Sequence, residues 1–478
     1  MALFQVVARS QFLLGAGVTT TDYQYLTLAD AVAINPPLFH YLQCDSLAPH
    51  DFALPDSHLQ TLLGGQVALE TLALRMGAPL NTQDQVHGLQ IAQWQMVALR
   101  TLQLYGIFPR GLGQLPNGMG NEFSNLTSLT LGRVDGLYPP TTVSDFFAAV
   151  STWQNLRSLE IEQYSHLMLD PEDLSQHVAH LPELLSLTLA EEPTWIAKFL
   201  TYAVTPRLSS LHLRTVVTIS PANPSAFAAV LTSWLPQDHH VLAHTQAFAM
   251  LRGVRKVEVR MGENEFQPTR IVGATLADTP LVTLEVQPCR PVGMDDTTWR
   301  DLYAVWSRSS DALGAVVSGC PRLFRSDTVS TLDLTGNFDG VLAEHWCTPL
   351  RHYPGLAGIK IDARGGHGVD ELFPALTILD REQRDVVCSD LDTIHIDGAR
   401  YSRAFLKNMV DMLVKRVEAP VAYMKLNLTS SSAEYKRDFS KGDLMATAGL
   451  NTVDPSSVGS FNLRISDWDT DLFIHDPK

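Results

Sequence analysis

The sequence predicts an α/β solenoid: one array of strand-plus-helix units, with a parallel sheet along an inner face and helices outside. Three features predict it. A short apolar hexad recurs, its copies are nearly evenly spaced, and the segments between copies carry helical periodicity.

The hexad reads apolar-x-x-apolar-x-apolar. It starts at Leu69, Leu99, Leu126, Leu156, Leu184 and Leu208, then at Val254, Leu281, Val329, Leu356, Leu391 and Tyr423. A degenerate copy starts at Ser460 and an early one at Phe39. The last three residues alternate apolar, polar, apolar, the period of a strand with one buried face. From 69 to 460, ten of the twelve intervals lie between 24 and 37 residues, so each hexad is read as one stacked unit.

Between hexads, Phe146, Val150 and Trp153 stand at i, i+4 and i+7, the spacing of one helix face. Residues 226–235 and 401–415 read the same way, and Asp170-Pro171 resembles a helix start. No unit of this kind buries its apolar stripe alone, so stacking supplies the core. A strand is about 4.8 Å wide and a helix about 10 Å, so the stack should curve towards its strands. Two long intervals, near 215–250 and 289–325, look like degenerate repeats or like insertions, which in solenoids map to loops.

Composition narrows the function. The chain has 478 residues, is 45% hydrophobic and 18% charged, and has a net charge of −16. That apolar content excludes a disordered chain. The acidic balance argues against a nucleic-acid binder, because phosphate attraction needs a basic field. No stretch reaches the roughly 18 apolar residues of a membrane span. The N-terminal segment lacks the charged start of a signal peptide. Five scattered cysteines without a CxxC pair predict reduced thiols and a cytoplasmic or nuclear location.

These hexads resemble the leucine-rich repeat, and their thirty-residue period resembles its ribonuclease-inhibitor-like subclass. The resemblance covers about residues 39–465. It departs from the family at the Asn/Cys position, where only Cys289 and Asn337 comply, so the repeat turns are expected to be irregular. The irregular repeats with embedded tryptophans are similar to fungal F-box/leucine-rich-repeat proteins. In that family an N-terminal F-box binds the adaptor of a cullin-type ubiquitin ligase and the repeats bind the substrate. Residues 1–60 carry no recognisable F-box. Residues 1–38 then read as a cap or the remnant of a lost domain, 39–466 as the repeat array, and 467–478 as an acidic tail.

Motifs for chemistry are sparse. His240-Val-Leu-Ala-His244 lacks the glutamate of a zinc protease. Asp467-Trp-Asp-Thr-Asp471 lacks the glycine and glutamate of a calcium loop. Arg364-Gly-Gly-His-Gly-Val369 has no phosphate-loop Lys-Ser/Thr and reads as a turn. The expectation is a non-enzymatic protein with no cofactor and no metal.

Recognition then falls to the inner face, which the third, fifth and seventh positions of each hexad should line. The third is often Ser or Thr, as at Thr71, Ser128, Ser158 and Ser210. The candidate partner-binding residues are Glu160, Glu162, His212, Arg214, Lys256, Arg260, Glu285, Asp333 and His395. Among them His212, Arg214, Lys256 and Arg260 form a basic spot in an acidic chain, suited to an acidic or phosphorylated peptide. Glu258 lies between and is placed to neutralise it. The expected function is protein–protein recognition, in the F-box resemblance as the substrate-binding part of a ubiquitin-ligase receptor. Two alternatives stay open: a stand-alone acidic scaffold or inhibitor of a basic partner, and an enzyme with a site in an insertion.

Overall fold

The computed structural model describes residues 5–9, 24–26, 41–47, 63, 68–76, 89–90, 96–107, 109–110, 123–132, 141–163, 167–168, 178–219, 230, 249–291, 293–308, 310–324, 328–364, 368–377, 387–399, 403–418, 425–429 and 462–465. The chain divides into two compact units, residues 1–213 with 238–249, and residues 214–237 with 250–478.

In the first unit, β1 (Gln5–Arg9) runs antiparallel to β2 (Gln24–Leu26) and to β3 (Tyr41–Leu47). A parallel ladder then steps from β3 through β4 (Thr71–Met76), β5 (Thr101–Tyr105), β6 (Ser128–Gly132) and β7 (Ser158–Glu162) to β8 (Ser186–Ala190). The register places Thr71, Thr101, Ser128, Ser158 and Ser186 in one row, so every third hexad position is aligned.

Two repeated hydrogen-bond devices hold this register. First, a turn precedes each hexad: Leu126 N–H donates to Phe123 O at 2.9 Å, and Leu156 N–H to Trp153 O at 3.0 Å. Its first residue is buried (Met96, Phe123, Trp153 and Leu181), which explains an apolar position three residues before the hexad. Second, the carbonyl of the second hexad position accepts two N–H groups from the next repeat. Thr127 and Ser128 share Arg100 O at 2.8 and 2.9 Å, and Arg157 and Ser158 share Thr127 O.

The first, fourth and sixth hexad residues are buried, as at Leu156, Leu159 and Ile161. They pack under α1 (Val143–Ser151) and α2 (Pro193–Tyr202), with Phe146, Val150 and Trp153 all buried as their spacing predicts. Proline opens α2, where its missing N–H leaves no bond unmade. Phe199 stacks on Trp195 at 5.4 Å and meets Phe147 edge-on at 5.3 Å. Two-residue parallel pairs, such as Ala179–His180 with Ala203–Val204, tie the return segments together.

β9 (Ser210–Thr218) begins in the first unit and ends in the second. The second unit continues with β10 (Lys256–Arg260), β11 (Thr269–Ala274) and β12 (Pro280–Cys289). Here the uniform stacking expected from the hexads is overturned. β10 and β11 are antiparallel, and so are β11 and β12. The 27 residues between the hexads at 254 and 281 hold a hairpin strand, not a helix. The neighbour of β10 is β13 (Thr331–Thr335), with Lys256 opposite Thr331. The shared-carbonyl device agrees: Ser330 and Thr331 both donate to Arg255 O, at 2.8 and 3.1 Å. Leu281, which opens its hexad, is accordingly only half-buried, whereas Leu284 and Val286 are buried.

From β13 the ladder is again parallel through β14 (Gly358–Asp362), β15 (Thr393–Asp397), β16 (Lys425–Thr429) and β17 (Asn462–Ile465). Residues 289–325, read as a degenerate repeat or an insertion, contain α3 (Asp296–Trp306), a π turn at Ser310–Gly314 and α4 (Ala315–Leu323). α5 (Ala343–His352), α6 (Leu372–Leu376) and α7 (Arg403–Glu418) complete the helical layer. Trp346 stacks parallel to Phe338 at 6.0 Å.

Gly368, after β14, has a steric cause. A Cβ on Gly368 would stand 1.7 Å from Phe338 O, so no other residue fits there. The motifs at 170–171, 240–244 and 467–471 and the helix expected at 226–229 and 231–235 lie outside the described residues. No helix among the described residues is long and apolar enough to cross a membrane.

Candidate functional site

Burial alternates along β5, β7, β10, β14 and β15, which gives the ladders one face under the helices and one open face. On β7, Leu159 and Ile161 are buried while Ser158, Glu160 and Glu162 are half-exposed. The third, fifth and seventh hexad positions line the open face, as their alternation predicts.

The first unit's open face is lightly charged. Thr130 Oγ1 donates to Glu160 Oε2 at 3.4 Å. Glu162 shares a row with Gly132, Tyr105 and Arg75. Arg75 lies over the Tyr105 ring at 4.8 Å, a cation–π contact. That ring rests on Gly132, where a Cβ would come within 2.7 Å of it. His212, half-buried on β9, also belongs to this unit.

The second unit's open face is a charge network. Arg214 donates from Nε to Glu285 Oε2 at 3.3 Å, and Arg270 of β11 approaches Glu285 Oε1 at 3.8 Å. Glu258 pairs with Arg260 and, at 3.8 Å, with Lys256. Lys256 also meets Asp278 at 3.0 Å and Asp333 at 3.5 Å. Lys360 reaches Asp333 at 3.7 Å, and His395 Nε2 lies 2.7 Å from Asp397 Oδ2.

Arg214, Lys256 and Arg260 therefore do not make the bare cationic patch their sequence suggests. Each has a carboxylate, and Lys256 has three. Burial pulls the Lys256 pKa down, but the hydrogen bond to Asp278 and the charges of Asp333, Asp278 and Glu258 outweigh it and hold the ammonium above its ordinary value. Lys256 thus serves the network's cohesion. Glu285 and Asp333 centre two clusters: Glu285 takes Arg214 and Arg270, and Asp333 takes Lys256 and Lys360. Sequence reading missed Arg270, which sits in the hairpin strand outside any hexad. It also passed over Lys360, although the fifth-position rule points to it.

Burial pushes the thiols of Cys320 and Cys388 up to about 12, so neither is a thiolate at neutral pH. Cys388 Sγ donates to Leu350 O at 3.1 Å. Among the described residues, no cluster of three or more His, Cys, Asp or Glu could hold a metal ion.

The in-register parallel ladders with helices on one face define the class: an α/β solenoid of the leucine-rich-repeat kind. No protein-family model and no curated protein matches the chain. Among solved structures it is similar to an internalin from Listeria monocytogenes, at 11% identity over 87% of this chain and 85% of that chain, with a TM-score of 0.27. The fold assignment rests on the hydrogen-bonded register described above.

Proposed function

We propose that this chain is a protein-recognition scaffold that binds its partner on the open face of its strand ladders. One observation carries the reading. The buried hexad positions are uniformly apolar, while the aligned open-face rows vary from hydroxyl to carboxylate, ammonium, imidazole and guanidinium on a rigid backbone. That division separates what holds the repeats from what distinguishes a partner. The test is capture of the native partner by the purified chain. Replacing Lys360 and His395 with alanine together is expected to weaken capture; replacing the exposed helix residues Lys407 and Asp411 is not. Equal capture by both variants would sink the reading.

The F-box resemblance extends this to the substrate-binding part of a ubiquitin-ligase receptor acting in the cytoplasm or nucleus. Recovery of a cullin adaptor with the chain supports that extension. The net charge of −16 favours the other extension, a stand-alone scaffold for a basic partner, which predicts such a partner in the eluate and no adaptor.

A further inference from the structure

Arg214, Arg270 and Arg260 stand along the start of the second unit's sheet, and their arrangement is uneconomical for a purely structural network. Arg260 and Arg270 are direct partners across the antiparallel pair of β10 and β11. Like charges opposite one another in a ladder are destabilising. Arg270 is in turn the direct partner of Glu285 on β12. Three guanidiniums therefore share two carboxylates, Glu285 and Glu258.

Exposure sorts the two signs by depth. The carboxylates are covered, with Glu285 and Glu258 side chains 18% and 19% exposed, while Arg214, Arg270 and Arg260 are 45%, 47% and 59% exposed. Each arginine also meets its carboxylate through Nε. Each guanidinium carries two terminal nitrogens besides Nε. Those nitrogens form the donor fork that grips paired anionic oxygens. The buried carboxylates thus orient the arginines and leave the donors facing solvent. Lys256, covered and held by three carboxylates, takes no part.

We infer that this arginine row is a docking site for a short acidic peptide segment, whose carboxylate or phosphate oxygens bind the guanidinium ends. A short segment fits better than a whole acidic protein. The chain's net charge of −16 repels an anion at large, and screening within about 8 Å at physiological salt lets the row act locally. This inference rests on the open face being the recognition surface.

Fluorescence anisotropy with the full chain at physiological ionic strength tests it, using labelled peptides that are glutamate-rich, singly phosphoserine-bearing or lysine-rich. The glutamate or the phosphoserine peptide is expected to bind, and whichever does identifies the oxygen source; the lysine peptide is not. Arg270→Gln and Arg260→Gln should each weaken binding about tenfold, the loss of one charge-assisted contact. Arg270→Lys should fall between, and Glu285→Gln should tighten binding. Arg300→Gln, an exposed arginine paired with Glu265 away from the row, should change nothing. Thermal melting of each variant confirms that it is folded. No binding of either anionic peptide, or an equal loss in Arg300→Gln, overturns the assignment. Unchanged capture of the native partner by the Lys360 and His395 variant, with peptide binding intact, contradicts the general reading alone.

Discussion

The ladder from β3 to β8 and the hairpin sheet of β10 to β12 are built from the same hexad and do different things with it. In the first, every copy stacks on the preceding one, and from β4 onwards the third position is always Ser or Thr. Small hydroxyls suit a crowded parallel ladder, and Thr127 Oγ1 also donates to Arg100 O of the preceding repeat at 3.1 Å. In the second, two successive hexads are separated by a strand of their own loop, and charges collect on the open face. Regular stacking from β4 to β8 keeps the third-position row to small hydroxyls, while Tyr105, Glu160 and Glu162 stand in the other rows. Where stacking is interrupted, antiparallel neighbours admit long charged groups whose tips reach past the sheet.

The largest test of this contrast is at a turn of the regular ladder. Trp153 is buried edge-on against Phe123, and its carbonyl anchors the turn before Leu156. Trp153→Ala should cost about 3–5 kcal/mol in denaturant unfolding. In the second unit the equivalent turn is held differently. Arg416, buried on α7, donates to Val387 O at 3.0 Å and Cys388 O at 2.8 Å. Arg416→Met would remove the bond to Val387 O and one of the two bonds to Cys388 O, which Leu391 N–H also reaches at 3.1 Å, and should cost about 2–3 kcal/mol.

A smaller effect belongs to two asparagines. Asn125 Nδ2 donates to Val97 O at 2.8 Å, and Asn155 Nδ2 to Ser124 O at 2.6 Å, each reaching one repeat back. Alanine at either should cost about 1 kcal/mol by the same measurement. The smallest effect is on pH. Asp295 caps α3 by accepting from Thr298 Oγ1, Thr298 N and Thr297 N. Those bonds, Thr298's first, hold its carboxyl below the ordinary 3.8. The cap's contribution is therefore complete above that value and is lost as pH falls through the lowered one. Asp295→Ala should flatten the acid limb of the thermal-melting profile as pH falls through and below 3.8.

Much of this was legible in the hexads, because one-face burial imposes a period that sequence displays. The helix face of Phe146, Val150 and Trp153 and the open-face positions follow from the same rule. The carbonyl-satisfying asparagines were looked for after the hexad, where only Asn337 and Cys289 comply. They stand before it instead, at Asn125 and Asn155. Asn337 makes only a local turn, accepting from Asp339 N at 2.9 Å. The hairpin escaped notice for a physical reason. A strand, a loop and a second strand occupy the same 27 residues as a strand and a helix, so spacing alone does not separate them. Its signal lay in the β-rich run Thr269–Ala274 and the turn before Pro280, where Asp278 takes a positive φ of 58°. Missing it hid Arg270 and the Asp278 partner of Lys256.

The account depends on which strand lies beside β10. Paired cysteines read this directly in oxidised, unfolded and digested samples. Lys256→Cys with Thr331→Cys places the two on neighbouring parallel strands, and a cross-link between them is expected under mild oxidation. Lys256→Cys with Thr283→Cys places β11 between them, and that pair should stay open. A cross-link at 256 and 283 with none at 256 and 331 would restore simple stacking of the hexads and remove the hairpin, and with it the arginine row.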